Sequence, residues 1–412
     1  MKKLYSVASV SAVMILFLIL VSSTASASIT ETRITNHGTA FLRPVIYDNK
    51  IVWPDSRNAD VSGNSNIYMY DLSTHKETLI TASGLYPDIY DSKIVWWNES
   101  HDFTTNNFTT NIYMYDLSTK QVTPITTSGK AIGSVIYSNT IAWEDSRDGN
   151  ENIYMYDLST KKETQITSSE KAYDPAIYGN KIVYEDSRNG NDSGDGGGNI
   201  YMYDISTKKE TQITTNTNQS VFENCANIYG NYIAWVESGN GAANIHMYDL
   251  STKKETQITT SGNAFFPEIY GNTVAWEDAR NGNRDIYAYD LKTHQEIHTP
   301  NKSDQTDPAI YGNKIVWLDS RNGGSDVYMG TISFLPIAAF TASSTSGKHP
   351  LNVRFTDKST NAYYWYWNFG DKSTSTLQSP VHKYTKAGKY TVSLKVRNAA
   401  GNNTKTMSIT VK

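Results

Sequence analysis

The residues of this chain best suited to chemistry come in copies. In "WEDSRDGNENIYMYDLST", Trp143 to Thr160, two carboxylates and an arginine two residues on precede an Asp-Gly-Asn turn. Such an oxygen-rich loop is chemically able to hold Ca²⁺ or a charged substrate. The same Asp-x-Arg spacing returns as Asp55/Arg57, Asp186/Arg188, Asp278/Arg280 and Asp319/Arg321. The best calcium candidate is "NGNDSGDGGGN" (Asn189–Asn199), with Asp192 and Asp195 as ligands, but it lacks the ligand spacing of an established calcium loop. Five near-copies point to construction instead. Asp and Arg are expected to pair within or between repeats, while the Asn-Gly turn sets hairpin geometry. No catalytic residue and no cofactor are expected, calcium being the one ion this composition admits.

Other catalytic patterns are missing. There is no G-x-S-x-G elbow, no H-E-x-x-H and no Cys/His cluster. The eight histidines (37, 75, 101, 246, 294, 298, 349 and 382) are scattered. His294 and His298, if both on one strand, would lie about 13 Å apart and make a poor metal pair. His246 replaces a repeated tyrosine and is expected to fill its place.

These loops must be positioned by strands. An Ile-Tyr pair, a tight turn and an apolar run recur at Ile46, Ile89, Ile136, Ile177, Ile228, Ile269 and Ile310, spaced 43, 47, 41, 51, 41 and 41 residues. Each is followed by a relative of "NIYMYDLST" and then of "KETQIT". Alternation with aromatic and β-branched residues makes four short strands, A to D, in each unit. Four strands in such a period form the blade of a β-propeller, and seven anchors predict seven blades. The seventh unit stops without a D strand, and the chain after Ala27 begins with one, "ITETRIT". The N-terminal strand is therefore expected to complete the last blade, which removes exposed sheet edges.

The repeat "IVWEDSRNGN..DIYMYDL....QIT" resembles the TolB-type propeller repeat of archaeal and bacterial surface proteins. Blades two ("WWNESHDFTTNNFTTN") and five ("WVESGNGAAN") depart from it by lacking the loop arginine. After Pro336 the composition changes. Trp367, Asn368, Phe369, Gly370 and Asp371, followed by Tyr384, Gly388, Tyr390 and Val392, closely resemble the hallmark of a PKD domain. That resemblance implies an Ig-like β-sandwich serving as a spacer or interaction module. Alternation places Tyr363, Trp365 and Trp367 in its core and Tyr364 and Tyr366 on the other face. The latter two are either an exposed platform for a sugar ring or a contact with the propeller. The whole reads as all-β: a leader over residues 1–27, a propeller over 28–333 and the PKD domain over 337–412.

Bulk properties set the compartment. Twenty-nine Tyr and nine Trp supply core material, and a net charge of −4 argues against a nucleic-acid partner. The single cysteine, Cys225, makes no internal disulfide and is expected to be a small buried residue. Lys2 and Lys3, the apolar run Val13–Val21 and "ASA" at Ala25–Ala27 fit a cleaved secretory signal, with an uncleaved anchor as the alternative. No membrane span is expected after cleavage. Sequons at Asn98, Asn107, Asn191, Asn218, Asn301 and Asn402 are compatible with glycosylation.

In a propeller the B–C and D–A loops share one face, which would collect the first five sequons. The opposite face collects lysines, among them Lys162, Lys209 and Lys254, which could rest on an acidic envelope polymer. Glu163, Glu210 and Glu255 would cancel much of that charge. The expected function is an exported, non-enzymatic, extracellular or cell-surface protein that binds protein or polysaccharide of the cell envelope, of surface-layer or adhesion type. The rival is a secreted polysaccharide lyase using the central pocket.

Overall fold

A computed structural model describes residues 26–58, 65–102, 107–188, 198–215 and 221–412. The apolar leader run, Asn191, Asn218, Asp192 and Asp195 lie outside these residues.

Among the described residues there are no α-helices and seven four-stranded antiparallel sheets, six of them with their strands in sequence order. Blade three is typical: Ala131–Tyr137, Thr140–Asp145, Asn152–Asp157 and Lys162–Gln165. Trp143 pairs with Tyr154 and Tyr156 with Glu163. Strand B extends two residues past the tryptophan, so the loop aspartate is itself the last residue of the strand. The seventh sheet is built from Gln305–Tyr311, Lys314–Asp319, Asp326–Ser333 and the N-terminal strand Ser28–Arg33, which pairs Ser28 with Ser333 through to Arg33 with Tyr328. Segments about 300 residues apart in sequence thus close the ring.

The core lies between blades rather than within them. Val95, Ile112 and Met114 of blade two pack on Ile136, Ile141, Trp143 and Tyr154 of blade three. Fully buried tryptophans 53, 96, 143, 235, 276 and 317, with Tyr184 in blade four, anchor each interface. An aspartate ends each C strand of the first six blades. In blade three Asp157 accepts the amides of Ser159 and Thr160 at 2.8 and 2.9 Å, which holds the C–D turn.

Each A strand carries an irregularity near its start. Register slips occur between Ile132 and Val135, Tyr173 and Ala176, and Phe265 and Glu268, among others. The slips coincide with left-handed backbone at Tyr86, Gly133, Asp174, Cys225, Phe266 and Asp307, and Leu42 plays the same part in blade one. Four of these seven are neither Gly, Asn nor Asp, so the bulge is imposed by the ring and not by local preference. Bulges of this kind re-aim side chains, here at the mouth of the axial channel.

The C-terminal sandwich packs Phe340–Ala342, Leu351–Asp357 and Val381–Tyr384 against a larger sheet that contains Tyr364–Asn368, Gly388–Arg397 and Asn402–Val411. Trp367, Phe355, Phe369, Tyr384, Leu394 and Ile409 form its core. Gly370 has φ +84, and a Cβ there would sit 2.7 Å from the Thr391 carbonyl oxygen, so only glycine fits. Trp365 is partly buried, as the alternation requires. Tyr363 corrects it: the strand begins at Tyr364, and Tyr363, one residue outside, is 69% exposed. His294 is a second correction. It lies in the C–D turn with positive φ, and only His298 is on the strand Glu296–His298.

Candidate functional site

The five Asp-x-Arg loops form one repeated structure. In blade three Arg147 bonds Asp145 and Glu163 at 2.6 Å each and lies 4.3 Å over the Tyr154 ring. Trp143 Nε1 donates to Asp145 at 3.2 Å. The same guanidinium bridge joins Asp55, Arg57 and Glu77 in blade one. Blade four repeats it with Asp186, Arg188 and Glu210, and blade six with Asp278, Arg280 and Glu296. In blade seven the acid comes from the N-terminal strand: Arg321 bonds Asp319 at 2.5 Å and Glu31 at 2.7 Å. Burial alone would raise the Asp55 carboxyl, and the Arg57 hydrogen bonds outweigh it and hold it down at about 2. The pairs thus lie within blades and act as clasps across strands B and D. The D-strand glutamates, expected to cancel turn lysines, are used here instead.

The expected calcium ligands fall outside the described residues, while the other candidates are placed. Lys162, Lys209 and Lys254 are exposed, each directly across from an aspartate, Asp157, Asp204 and Asp249. Asn98 corrects its loop assignment: it lies within the long strand Lys93–Asp102, where it accepts the Ser83 hydroxyl at 2.7 Å. Asn107 and Asn402 are exposed. Asn301 lies in a D–A loop with its Nδ2 buried.

The A strands line an axial channel. Its cavity is about 770 Å³ and runs along all seven A strands. At the A–B turn end, Tyr47, Tyr90, Tyr137, Tyr178, Tyr229, Tyr270 and Tyr311 stand edge to edge in a closed circle. Neighbouring centroids are 4.5 to 4.9 Å apart around the whole circuit. At the other end the set does not repeat. The fourth residue before each of these tyrosines is Arg43, Tyr86, Gly133, Asp174, Cys225, Phe266 and Asp307 in turn. Tyr86 stacks on Trp97 at 6.0 Å and is 46% exposed, and Phe266 is 43% exposed.

Below this rim Arg43 of blade one reaches Glu268 of blade six at 2.5 Å, past the intervening blade seven. Burial pushes the Glu268 carboxyl up to about 7 against the pull of Arg43. Asp88 is also raised by burial and accepts the Ile136 amide of the next blade at 2.8 Å. The residues after the core tryptophans add a further interblade bond. Glu185 accepts the Cys225 amide at 2.5 Å, and Glu277 accepts that of Asp307 at 3.2 Å. Burial pushes Glu144 and Glu277 up to about 7 and Glu185 well up, with Asp174 adding repulsion at Glu144 and Glu185. Burial, then Glu185, pushes the Cys225 thiol far above its ordinary range, so it is no nucleophile. The signal that would have found this rim is the one column of the repeat that varies while its neighbours do not.

Residues 335–412 match the sequence profile of the PKD domain. The chain is a seven-bladed β-propeller with a C-terminal PKD domain. Among solved structures, the propeller is similar to the β-propeller domain of the trilobed protease from Pyrococcus furiosus, with TM-score 0.57 and 13% identity over 72% of this chain and 94% of that one. An oligogalacturonate lyase in complex with manganese gives TM-score 0.53 and 14% identity over 74% and 96%. TolB from Acinetobacter baumannii superposes more loosely, at TM-score 0.44 and 19% identity over 60% of this chain, and the match spans 62% of TolB. At these identities the likeness is one of fold. Among curated proteins none matches the sequence. No helix among the described residues is long and apolar enough to cross a membrane.

The PKD domain meets the propeller at blade six. Gln295 exchanges two hydrogen bonds with the Leu335 backbone at 3.0 and 3.1 Å, and Asn361 donates to Asp290 at 3.1 Å. Tyr364 and Tyr366 take no part in this contact: they are 67% and 48% exposed. They pair across strands with Arg397 and Lys395, and these four residues with Trp365 line a shallow groove. Charge is segregated too. Residues 335–412 hold eleven Lys/Arg against two Asp, a formal +9, so residues 1–334 carry −13 of the total of −4.

Proposed function

We propose that the protein is an exported cell-surface component that binds anionic polysaccharide of the cell envelope through its PKD domain, with the propeller as a non-catalytic platform. One observation carries this reading: Tyr364 and Tyr366 are exposed on one sheet face beside Lys395 and Arg397. Flat aromatic faces stack on the C–H faces of sugar rings, and adjacent cations complement uronate or phosphate groups. The formal +9 of the domain supports an acidic polymer over a neutral one. The propeller lysines are weaker candidates, because each of Lys162, Lys209 and Lys254 faces an aspartate. The clasp arginines and their acids are committed to holding blades together, which supports a scaffold role for that module.

The test is retention of the mature protein on immobilised acidic and neutral polysaccharides. Binding to the acidic polymer is expected to weaken at least tenfold in Tyr364→Ala/Tyr366→Ala and to fall with salt, and to survive Lys162→Glu/Lys209→Glu/Lys254→Glu. Equal retention of the tyrosine variant would reject the assignment. A second reading, a polysaccharide lyase working at the channel, is favoured by carboxyls that burial raises to about 7, Glu144 and Glu277. Formation of unsaturated ends during the same incubation, lost in Glu144→Gln, would establish it.

A further inference from the structure

Blade five repeats the clasp without its cation. We propose that Glu237, His246 and Glu255 form a binding site for a divalent transition-metal ion of the zinc class, in the space that a guanidinium fills in five other blades. The three residues occupy the three clasp positions. Glu237 lies two residues after Trp235, where the others have Asp, His246 pairs across from Trp235 where the others have Tyr, and Glu255 is the D-strand acid. No arginine follows Glu237 in the short turn before Ala242.

Blade two shows what happens when a clasp is simply abandoned. Its arginine is gone as well, and Asn98 and Val122 stand where the two acids would be. Blade five keeps both acids, lengthens one by a methylene and turns the ring between them into an imidazole. Two facing carboxylates need a cation, and the residue that changed is one that ligates metals. His246 Nδ1 lies 2.9 Å from Glu255, and its Nε2 lies 3.8 Å from Glu237. One ligand atom from each of the three lies within 4.8 Å of the others. A tetrahedral zinc site with bonds of about 2.0–2.2 Å needs its ligands roughly 3.4 Å apart, within reach of a rotation of the half-exposed glutamates.

A second observation points at the same place. The Trp235 Nε1–H is buried and has no hydrogen-bond partner, and its ring lies 5.9 Å from the His246 ring. In blades one, three, six and seven the corresponding indole N–H donates to the clasp aspartate at 3.1 to 3.2 Å. An orphaned buried donor is destabilising. The acceptor it lacks is supplied when Glu237 turns inward to a metal, or by a water on that metal. Imidazole and carboxylate donors favour Zn²⁺ over Ca²⁺ or Mg²⁺.

Calorimetric titration of the chelator-treated full chain with Zn²⁺ alone, and its Co²⁺ absorption spectrum, test the site. One equivalent is expected to bind, with a visible Co²⁺ band. His246→Tyr, which restores the repeat residue and so folds, is expected to weaken binding at least a hundredfold, and Glu255→Gln at least tenfold. Ca²⁺ is expected not to compete. No binding by the unaltered chain, or equal binding by His246→Tyr, would sink the proposal and leave His246 as a hydrogen-bonding substitute for the arginine.

Discussion

The clasp arginine acts as a structural ion placed once in each of five blades. Asp145 is fully buried, and Arg147, 28% exposed, is its compensating charge. Removing one partner of a buried pair costs about 3–5 kcal/mol, and the partial exposure of Arg147 lowers this to about 2–3 kcal/mol for Arg147→Ala. Glu163 sits at the wet end of the bridge, so Glu163→Gln is expected to cost under about 1 kcal/mol. Urea unfolding of the two variants measures the difference; equal costs would contradict the division of labour. Arg147→Lys is expected to fall near the alanine value, because an ammonium cannot bond both acids and stack on Tyr154 at once. The pairing was legible in the Asp-x-Arg spacing. Its third member was not, because Glu163 is sixteen residues away and reaches Arg147 only once strand D folds back.

At the scale of the strand, the bulged A strands of blades four, five and seven are held by the blade before them. Glu144, Glu185 and Glu277 do this while buried among other acids, and the protonated form is favoured. A carboxyl with a folded pKa above its unfolded value binds more protons when folded. Its contribution is complete below about pH 4.5 and is lost as pH rises through about 7. Asp55, Asp145 and Asp319, held low, act oppositely and lose their contribution only as pH falls below the ordinary range near 3.8. Thermal unfolding is therefore expected at a higher Tm at pH 5 than at pH 8. Glu144→Gln/Glu277→Gln is expected to flatten that slope and raise the Tm at pH 8; an unchanged slope would assign the dependence elsewhere. None of this convergence was readable beforehand, since the acids come from B strands and the amides from the next repeat. Tyr363 was misplaced for a related reason: alternation gives faces, but not the residue at which a strand begins.

At the scale of the molecule, the blade count was legible because the Ile-Tyr anchor and the core tryptophan are needed at every interface. The rim was not, because closing the ring brings together seven positions that share nothing in sequence. Closure rests on six residue pairs between Ser28–Arg33 and the last blade, on Arg321 with Glu31, and on Arg33 with Asp326 at 2.7 Å. Deleting Ser28–Thr35 exposes the edge of Asp326–Ser333 and the apolar surface around Ile332 and Trp317. The truncated chain is expected to unfold at least about 10 °C lower and to associate, measured by calorimetry and light scattering. Deletion with no change in either would show that the ring needs no closing strand.

That strand also imposes an order in time. Glu31 is made 290 residues before Arg321, so a segment made early is among the last to find its place. Until synthesis reaches the final blade it has no native partner, and the finished ring is a contact of nearly maximal sequence separation, the kind that forms slowly. The ring thus carries its own delay: the closing strand stays unpaired for as long as the last blade is unmade.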